Sequence, residues 1–303
     1  MSFSSHVKSE LCRTRLARRC CIQAEAFGVL LYCNQFSPQG IKIVTEGAAF
    51  AQRLPLLFRR AFQVELDHRT GSESESAKQI FTVTGQEELA RIWAGCGYEP
   101  DGSPALHINF ASLEENHCRL AFLRGAFLAG GSVTDPQKGY HLELVTSHFN
   151  VSRELTSLLL ELGYSPKTTT RKSNYVTYFK QSEYIEDLLT AIGAPLAAME
   201  IMNAKVEKNL RNGINRRVNC DAANVDKTVD AAMEQLAAIR QLESTMGLTS
   251  LSDKLQEAAQ LRQQNPELAL SQLAALCDPP VTKSCLNHRL RKLVALSRQS
   301  KEN

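Results

Sequence analysis

Residues 122–136 read FLRGAFLAGGSVTDP. Leu123, Gly125, Ala129 and Gly131 recur at helical spacing, and Ser132 follows where a helix would stop. Small residues on one face let two helix backbones approach closely, so Gly125 and Ala129 predict a helix pressed against another helix. Gly130 and Gly131 are expected to end it, since glycine accepts the left-handed conformation of a helix C-cap. On these residues alone, an ordinary buried helix closed by glycine fits as well.

Around that stretch the chain reads as two similar halves. The second half predicts a helix over 120–129, a strand over 140–146 and a helix over 150–162 closed by Gly163. Strands over 165–171 and 175–180 around the turn KSN follow, then a helix over 182–192 ending at Gly193. The first half predicts a helix over 20–34, a strand over 41–45 and a helix over 48–62 that Pro55 kinks or interrupts. Strands over 64–69 and 79–84 joined by the polar loop TGSESESAK come next, then a helix over 86–95. Both halves run helix, strand, helix, hairpin, helix, and 97 positions separate Gly28 from Gly125. A first helix, capped by Ser4 or Ser5 and running to about residue 19, precedes them.

Residues 123–131 resemble the LAGLIDADG motif of homing endonucleases, and EAFGVLLYCN in the first half resembles it loosely. In that family two motif helices pack together, and an acidic residue at each helix end binds the catalytic metal. The resemblance implies an α+β domain with a pseudo-twofold axis, motif helices packed at Gly28, Gly125 and Ala129, and a curved sheet that straddles DNA in the active enzymes. The acidic positions fall on Cys33 and Gly130. Magnesium needs hard oxygen ligands, which neither residue supplies. Glu73 and Glu75, in the hairpin loop of the first half, argue against DNA contact by that half.

At 303 residues the chain should hold about two domains. It is 43% hydrophobic and 22% charged, as a globular protein is, and it has no run of 18 apolar residues to span a membrane. The N-terminus is polar and basic, unlike a signal peptide. Nine cysteines, an odd number without any CxxC pair, are expected to be reduced thiols in a cytosol. The adjacent Cys20 and Cys21 suit neither a disulfide framework nor a zinc site, and no metal or cofactor is expected. The net charge of +3 names no partner, but its distribution points to one. From residue 280 onward, Lys283, Arg289, Arg291, Lys292, Arg298 and Lys301 face Glu302 alone.

That basic tail sits on a pattern. A helix over 197–210 and the basic linker RNGINRRVNCDAAN are followed by a helix over 221–245, with Val225, Val229, Ala232, Leu236, Ile239 and Leu242 on one face. Another helix covers 250–264, opened at Ser252. Leu270, Leu273, Ala274 and Leu276 then fit a short helix that Asp278-Pro279-Pro280 cannot continue. A second helix begins at Thr282 or Ser284, with Leu286, Leu290, Leu293 and Leu296 or Ser297 inward. Short helix, break and longer basic helix form the helix-turn-helix plan, about residues 268–300. Lys283, Ser284, Asn287, His288 and Arg291 face outward, where a recognition helix meets base edges. Asn pairs with adenine and Arg or Lys with guanine. Arg289, Lys292 and Arg298 are expected on phosphate, and His288 on phosphate or the surface rather than a metal. Lys167, Arg171, Lys172 and Lys180, around the second hairpin, form a secondary candidate surface. An ordinary solvated basic helix is the competing account of the tail.

The motif FLRGAFLAGGSV, the NRRVNCDAAN linker and the C-terminal SCLNHRLRKL helix, in that order, resemble the WhiA family over nearly the whole chain. The resemblance implies a degenerate LAGLIDADG-like domain over 1–195 (repeats about 20–97 and 118–195), a helix and basic linker over 196–221, and a helical DNA-binding domain over 222–303. That last domain is similar to region 4 of sigma factors. It also implies a cytoplasmic, nucleoid-associated, non-enzymatic regulator of Gram-positive bacteria, acting on double-stranded DNA in sporulation, cell division or chromosome segregation. Other transcription or cell-division proteins are expected as further partners, and no membrane. Two other functions compete. A scaffold would use its helix-turn-helix only for delivery to DNA. A nuclease would need carboxylates at Cys33 and Gly130, and Asp135 lies beyond the helix end.

Overall fold

The structure, a computed structural model, describes residues 2–70, 78–98 and 105–302, with side chains as far as residue 299. Glu73 and Glu75 lie outside the described residues, as does the side chain of Lys301. The chain divides into two units, Met1–Lys208 and Asn209–Asn303.

Unit 1 opens with α1 (Phe3–Leu11), capped by Ser2, whose hydroxyl accepts from the Ser5 amide. The expected helix to residue 19 stops early. Arg53 takes the carbonyls of Cys12 and Thr14 at 2.9 and 2.7 Å, fixing this stretch as a loop. The first repeat is α2 (Arg19–Tyr32), β1 (Gln35–Ser37), β2 (Gly40–Thr45), α3 (Ala48–Phe62), β3 (Asp67–Thr70), β4 (Gln79–Val83) and α4 (Gln86–Gly95). The second is α5 (Asn116–Gly130), β5 (Gly131–Val133), β6 (Leu142–Thr146), α6 (Phe149–Glu161), β7 (Lys167–Arg171), β8 (Asn174–Phe179) and α7 (Ser182–Ile192). Each repeat builds an antiparallel four-stranded sheet with the same topology, β1-β2-β4-β3 and β5-β6-β8-β7. The α3 helix runs unbroken past Pro55, which sits on its exposed side. Lys172 and Ser173 carry φ of 49° and 65°, the two left-handed residues that a two-residue hairpin requires between β7 and β8.

The helices α2 and α5 are apolar on nearly every side, the pattern of helices buried all round. They form the middle of one core that both repeats share. At their crossing a Cβ on Gly28 would run into the carbonyl of Phe122 and lie 2.9 Å from the Ala126 nitrogen. One on Gly125 would run into the carbonyl of Glu25 and lie 3.0 Å from the Val29 nitrogen. Ala129 is partly buried against the same core. Gly131 does not cap α5 in the left-handed region. Its φ of −92° and ψ of 152° already belong to β5. Glycine is required there by space, because a Cβ would lie 2.7 Å from the Phe127 Cα.

One turn along from the glycines, Glu25 is 1% exposed and accepts from Arg53 (2.6 and 2.9 Å) and from Arg124 (2.9 Å). Arg124 also donates to the Ile192 carbonyl at 2.8 Å, so one carboxylate ties α2, α3, α5 and the end of α7. The helix α8 (Pro195–Thr245) begins beside it. Pro195 has no amide hydrogen to place, and Glu10 of α1 accepts from the next two amides, Leu196 at 2.7 Å and Ala197 at 3.0 Å.

The expected linker over 211–224 is helical and part of α8, so one helix has residues in both units. Unit 2 adds α9 (Asp253–Gln264), α10 (Leu270–Ala275) and α11 (Lys283–Glu302). Its core comprises Ile239 and Leu242 of α8, Leu255, Ala258 and Ala259 of α9, Leu273 and Ala274 of α10, and Leu286, Leu290 and Leu293 of α11. Three apolar residues expected to face inward do not. Val225 and Val229 are exposed because only the later part of α8 meets the bundle, and Leu276 lies past the end of α10.

Candidate nucleic-acid interface

Cys33 and Gly130, which the motif resemblance sets at the acid positions of LAGLIDADG enzymes, offer no carboxylate. Cys33 is the C-cap of α2, and its sulfur lies 3.1 Å from the carbonyl oxygens of both Leu30 and Gln35, which share its one thiol hydrogen. Burial pushes that thiol up to about 12, so it is neutral at neutral pH. A Cβ on Gly130 would lie 2.6 Å from the Val145 carbonyl and 2.9 Å from the Tyr32 ring, leaving no room for a carboxylate arm. Asp135 sits in a turn beyond β5, where its carboxylate accepts from the Gln137 amide at 2.9 Å.

In the second sheet, register places Lys167 opposite Tyr178 and Arg171 opposite Asn174, with Glu143 opposite Tyr178 from the other side. All of β7 is exposed. Arg171 reaches Glu143 at 3.5 Å, while His141 approaches the same carboxylate at 3.2 Å. Lys180 lies over the Tyr178 ring, and Lys172 stands at the hairpin tip. The secondary surface is therefore basic, with Arg171 alone of its four cations paired to Glu143.

In unit 2 the break between α10 and α11 is built by local hydrogen bonds. The Val281 amide returns to the Ala274 carbonyl at 3.1 Å, and the Thr282 hydroxyl accepts from the Cys285 amide at 3.2 Å, capping α11. Leu286, Leu290 and Leu293 are fully buried and Ser297 nearly so, which fixes the rotation of α11. Ser284, His288, Arg291 and Lys292 lie on the opposite, solvent-facing side, and Lys283, the first residue of α11, is exposed at its start. Asn287 is half-buried and lines a groove with Arg291, Glu234 and Gln235 against α8. Arg298 is exposed but paired with Glu234 at 2.6 Å. Arg289 does not project outward. It donates to Glu257 of α9 at 2.8 Å, and that carboxylate also accepts from the Asp278 amide at 2.7 Å. Arg289 thus holds the break against α9, a role that sequence missed because Glu257 is 32 positions away. The buried Arg262, bonded to Gln235 and to the Leu268 carbonyl, does the same for the start of α10 and was equally invisible in a polar stretch.

An α+β domain of two LAGLIDADG-like repeats, followed by a helix-turn-helix, is the class that fold and site define. The WhiA LAGLIDADG-like domain profile matches residues 119–211, and that of the WhiA C-terminal HTH domain matches residues 214–297. The chain is 39% identical to the probable cell division protein WhiA of Ruminiclostridium cellulolyticum, covering 100% of this chain and 99% of that protein. It is 37% identical to the protein of that name in Desulforudis audaxviator, covering 97% and 96%. The crystal structure of full-length DUF199/WhiA from Thermatoga maritima has the same fold, with a TM-score of 0.61 at 23% identity over 99% of each chain. The chain belongs to the WhiA family.

Proposed function

We propose that this chain is a sequence-specific DNA-binding regulator without nuclease activity, acting in cell division, chromosome segregation or sporulation. The carrying observation is the outer face of α11. Lys283, Ser284, His288, Arg291 and Lys292 project from a helix whose rotation four buried side chains lock. Arg291 reads a base edge, with Asn287 beside it, and Lys283 and Lys292 meet phosphate. Arg298 reaches phosphate on release from Glu234, while Arg289 positions the turn. The names of the relatives above support the cell-division setting, and double-stranded DNA in the nucleoid of the cytoplasm is the ligand it requires. Lys167, Lys172 and, once freed from Glu143 and Tyr178, Arg171 and Lys180 add phosphate contacts from the second sheet. The acid positions at Cys33 and Gly130 support the absence of cleavage. Selection of duplexes from a random library by the full-length protein tests the reading. Enrichment of one short motif is expected, and a bound pool without any motif overturns it.

A further inference from the structure

Two residue pairs that are far apart in sequence meet at the N-terminal ends of the central helices. Cys20 and Cys21 are the second and third residues of α2, and His117 and Cys118 are the second and third residues of α5. The repeat relates them. Ninety-seven positions separate Cys20 from His117, Cys21 from Cys118 and Gly28 from Gly125. The ligand atoms of the four side chains all lie within 4.8 Å of one another. His117 Nδ1 is 3.3 Å from the Cys21 sulfur and 3.2 Å from the Cys118 sulfur. Among the described residues this is the one group of three or more Cys, His, Asp or Glu that converges in this way.

We propose that Cys20, Cys21, His117 and Cys118 form a structural zinc site that clamps the two repeats together. Three thiolates and one imidazole are a donor set of structural zinc. Zn–S and Zn–N bonds of about 2.3 and 2.1 Å put tetrahedral ligands roughly 3.5–3.8 Å apart. The two His117–sulfur distances here, 3.3 and 3.2 Å, are slightly shorter, and all four ligand atoms lie within 4.8 Å of one another. Four protein ligands leave no open position, so the site is closed rather than catalytic. Zinc enters by replacing three thiol protons, which leaves a complex of net charge −1. Both pairs sit in the first turn of a helix, and the positive ends of two helix dipoles offset that charge. Cys20 is exposed, Cys21 and His117 are half-buried and Cys118 is buried, which gives the ion a route in and the site a firm base. The site lies at the opposite end of the helix pair from Cys33 and Gly130, so it owes nothing to the metal position of the endonucleases.

The test uses full-length protein, reduced, stripped with chelator and titrated with Zn²⁺ against a chromophoric competitor, then with Co²⁺ alone as a spectroscopic probe. One equivalent of Zn²⁺ per chain is expected, with Co²⁺ giving thiolate charge-transfer bands and the intense visible absorption of a tetrahedral site. Cys118→Ser and His117→Ala should lose the equivalent, while Cys220→Ser and Cys285→Ser, in unit 2, should keep it. Should Cys118→Ser fail to fold, Cys20→Ser at the exposed ligand should fold, bind Zn²⁺ at least tenfold more weakly and show a weaker charge-transfer band. Parent protein that binds no stoichiometric Zn²⁺ when fully reduced, including one that merely forms a Cys21–Cys118 disulfide in air, overturns the proposal. So does binding that Cys20→Ser and His117→Ala leave unchanged.

Discussion

Gly28 and Gly125 face each other's helix so closely that neither has room for a side chain. A Cβ on either would strike backbone of the other helix rather than a side chain that could turn away. The two repeats meet there with main chain against main chain, and the rest of unit 1 is arranged around that contact.

Gly125→Leu should therefore overpack the crossing and lower stability by roughly 1–3 kcal/mol or more. Thermal or urea unfolding measures it. An unchanged melting temperature would mean that α2 and α5 do not pack at Gly125.

Glu25 is the shared acceptor of Arg53 and Arg124 and is almost wholly buried. Removing one partner of a buried ion pair leaves uncompensated charge and costs about 3–5 kcal/mol. Glu25→Ala should fall in that range by urea unfolding, as two guanidinium groups lose their partner. A loss under about 1 kcal/mol would show that the network is solvated in solution.

No cleavage of plasmid DNA is expected with Mg²⁺ or Mn²⁺, because Cys33 holds a neutral thiol and Gly130 has no space for an acid. Metal-dependent nicking by the parent that is lost in Gly131→Pro, which lies at the end of α5, would contradict this.

Much of unit 1 was legible because its signals are local. The helices at 48–62, 86–95 and 182–192 agree with the structure to the residue, since apolar periodicity runs along each and a glycine marks at least one end: Gly47 before the first, Gly85 and Gly95 at the second, Gly193 after the third. The strands β1 and β5 were missed because three residues carry no periodicity. Gly131 was misread because a glycine needed for space and one needed for positive φ look alike in sequence. The stretch over 211–224 looked like a linker because it has no consistent buried face, and as a helix it indeed remains exposed all round. The Cys20, Cys21, His117 and Cys118 cluster was hidden altogether. Its halves are adjacent pairs, and only the repeat brings them together. In unit 2 the leucines of α11 settle which residues face out, but the ion pairs of Arg289 and Arg298 come from other helices and left no trace along the chain.

Arg289 and Arg291 are two residues apart and should behave differently. Arg289→Ala leaves the Glu257 carboxylate without its partner at the turn, at a cost of about 1–3 kcal/mol to unit 2. It should weaken binding to all DNA in proportion to the folded fraction lost. Exposed surface changes such as Arg291→Ala usually stay within about 0.5 kcal/mol. Equal melting curves for the two variants would remove the positioning role of Arg289.

The most direct test of DNA reading by α11 is a salt titration of full-length protein on its selected duplex and on a scrambled one. Arg291→Ala should lose roughly 1–3 kcal/mol on the selected duplex and little of its helicity, shrinking the preference between the two. Lys292→Ala should weaken both duplexes alike and lower the salt slope by about one unit. If Arg291→Ala and Asn287→Ala both discriminate the duplexes as the parent does, α11 is not the reading helix, and the surface around Lys167, Arg171, Lys172 and Lys180 takes its place.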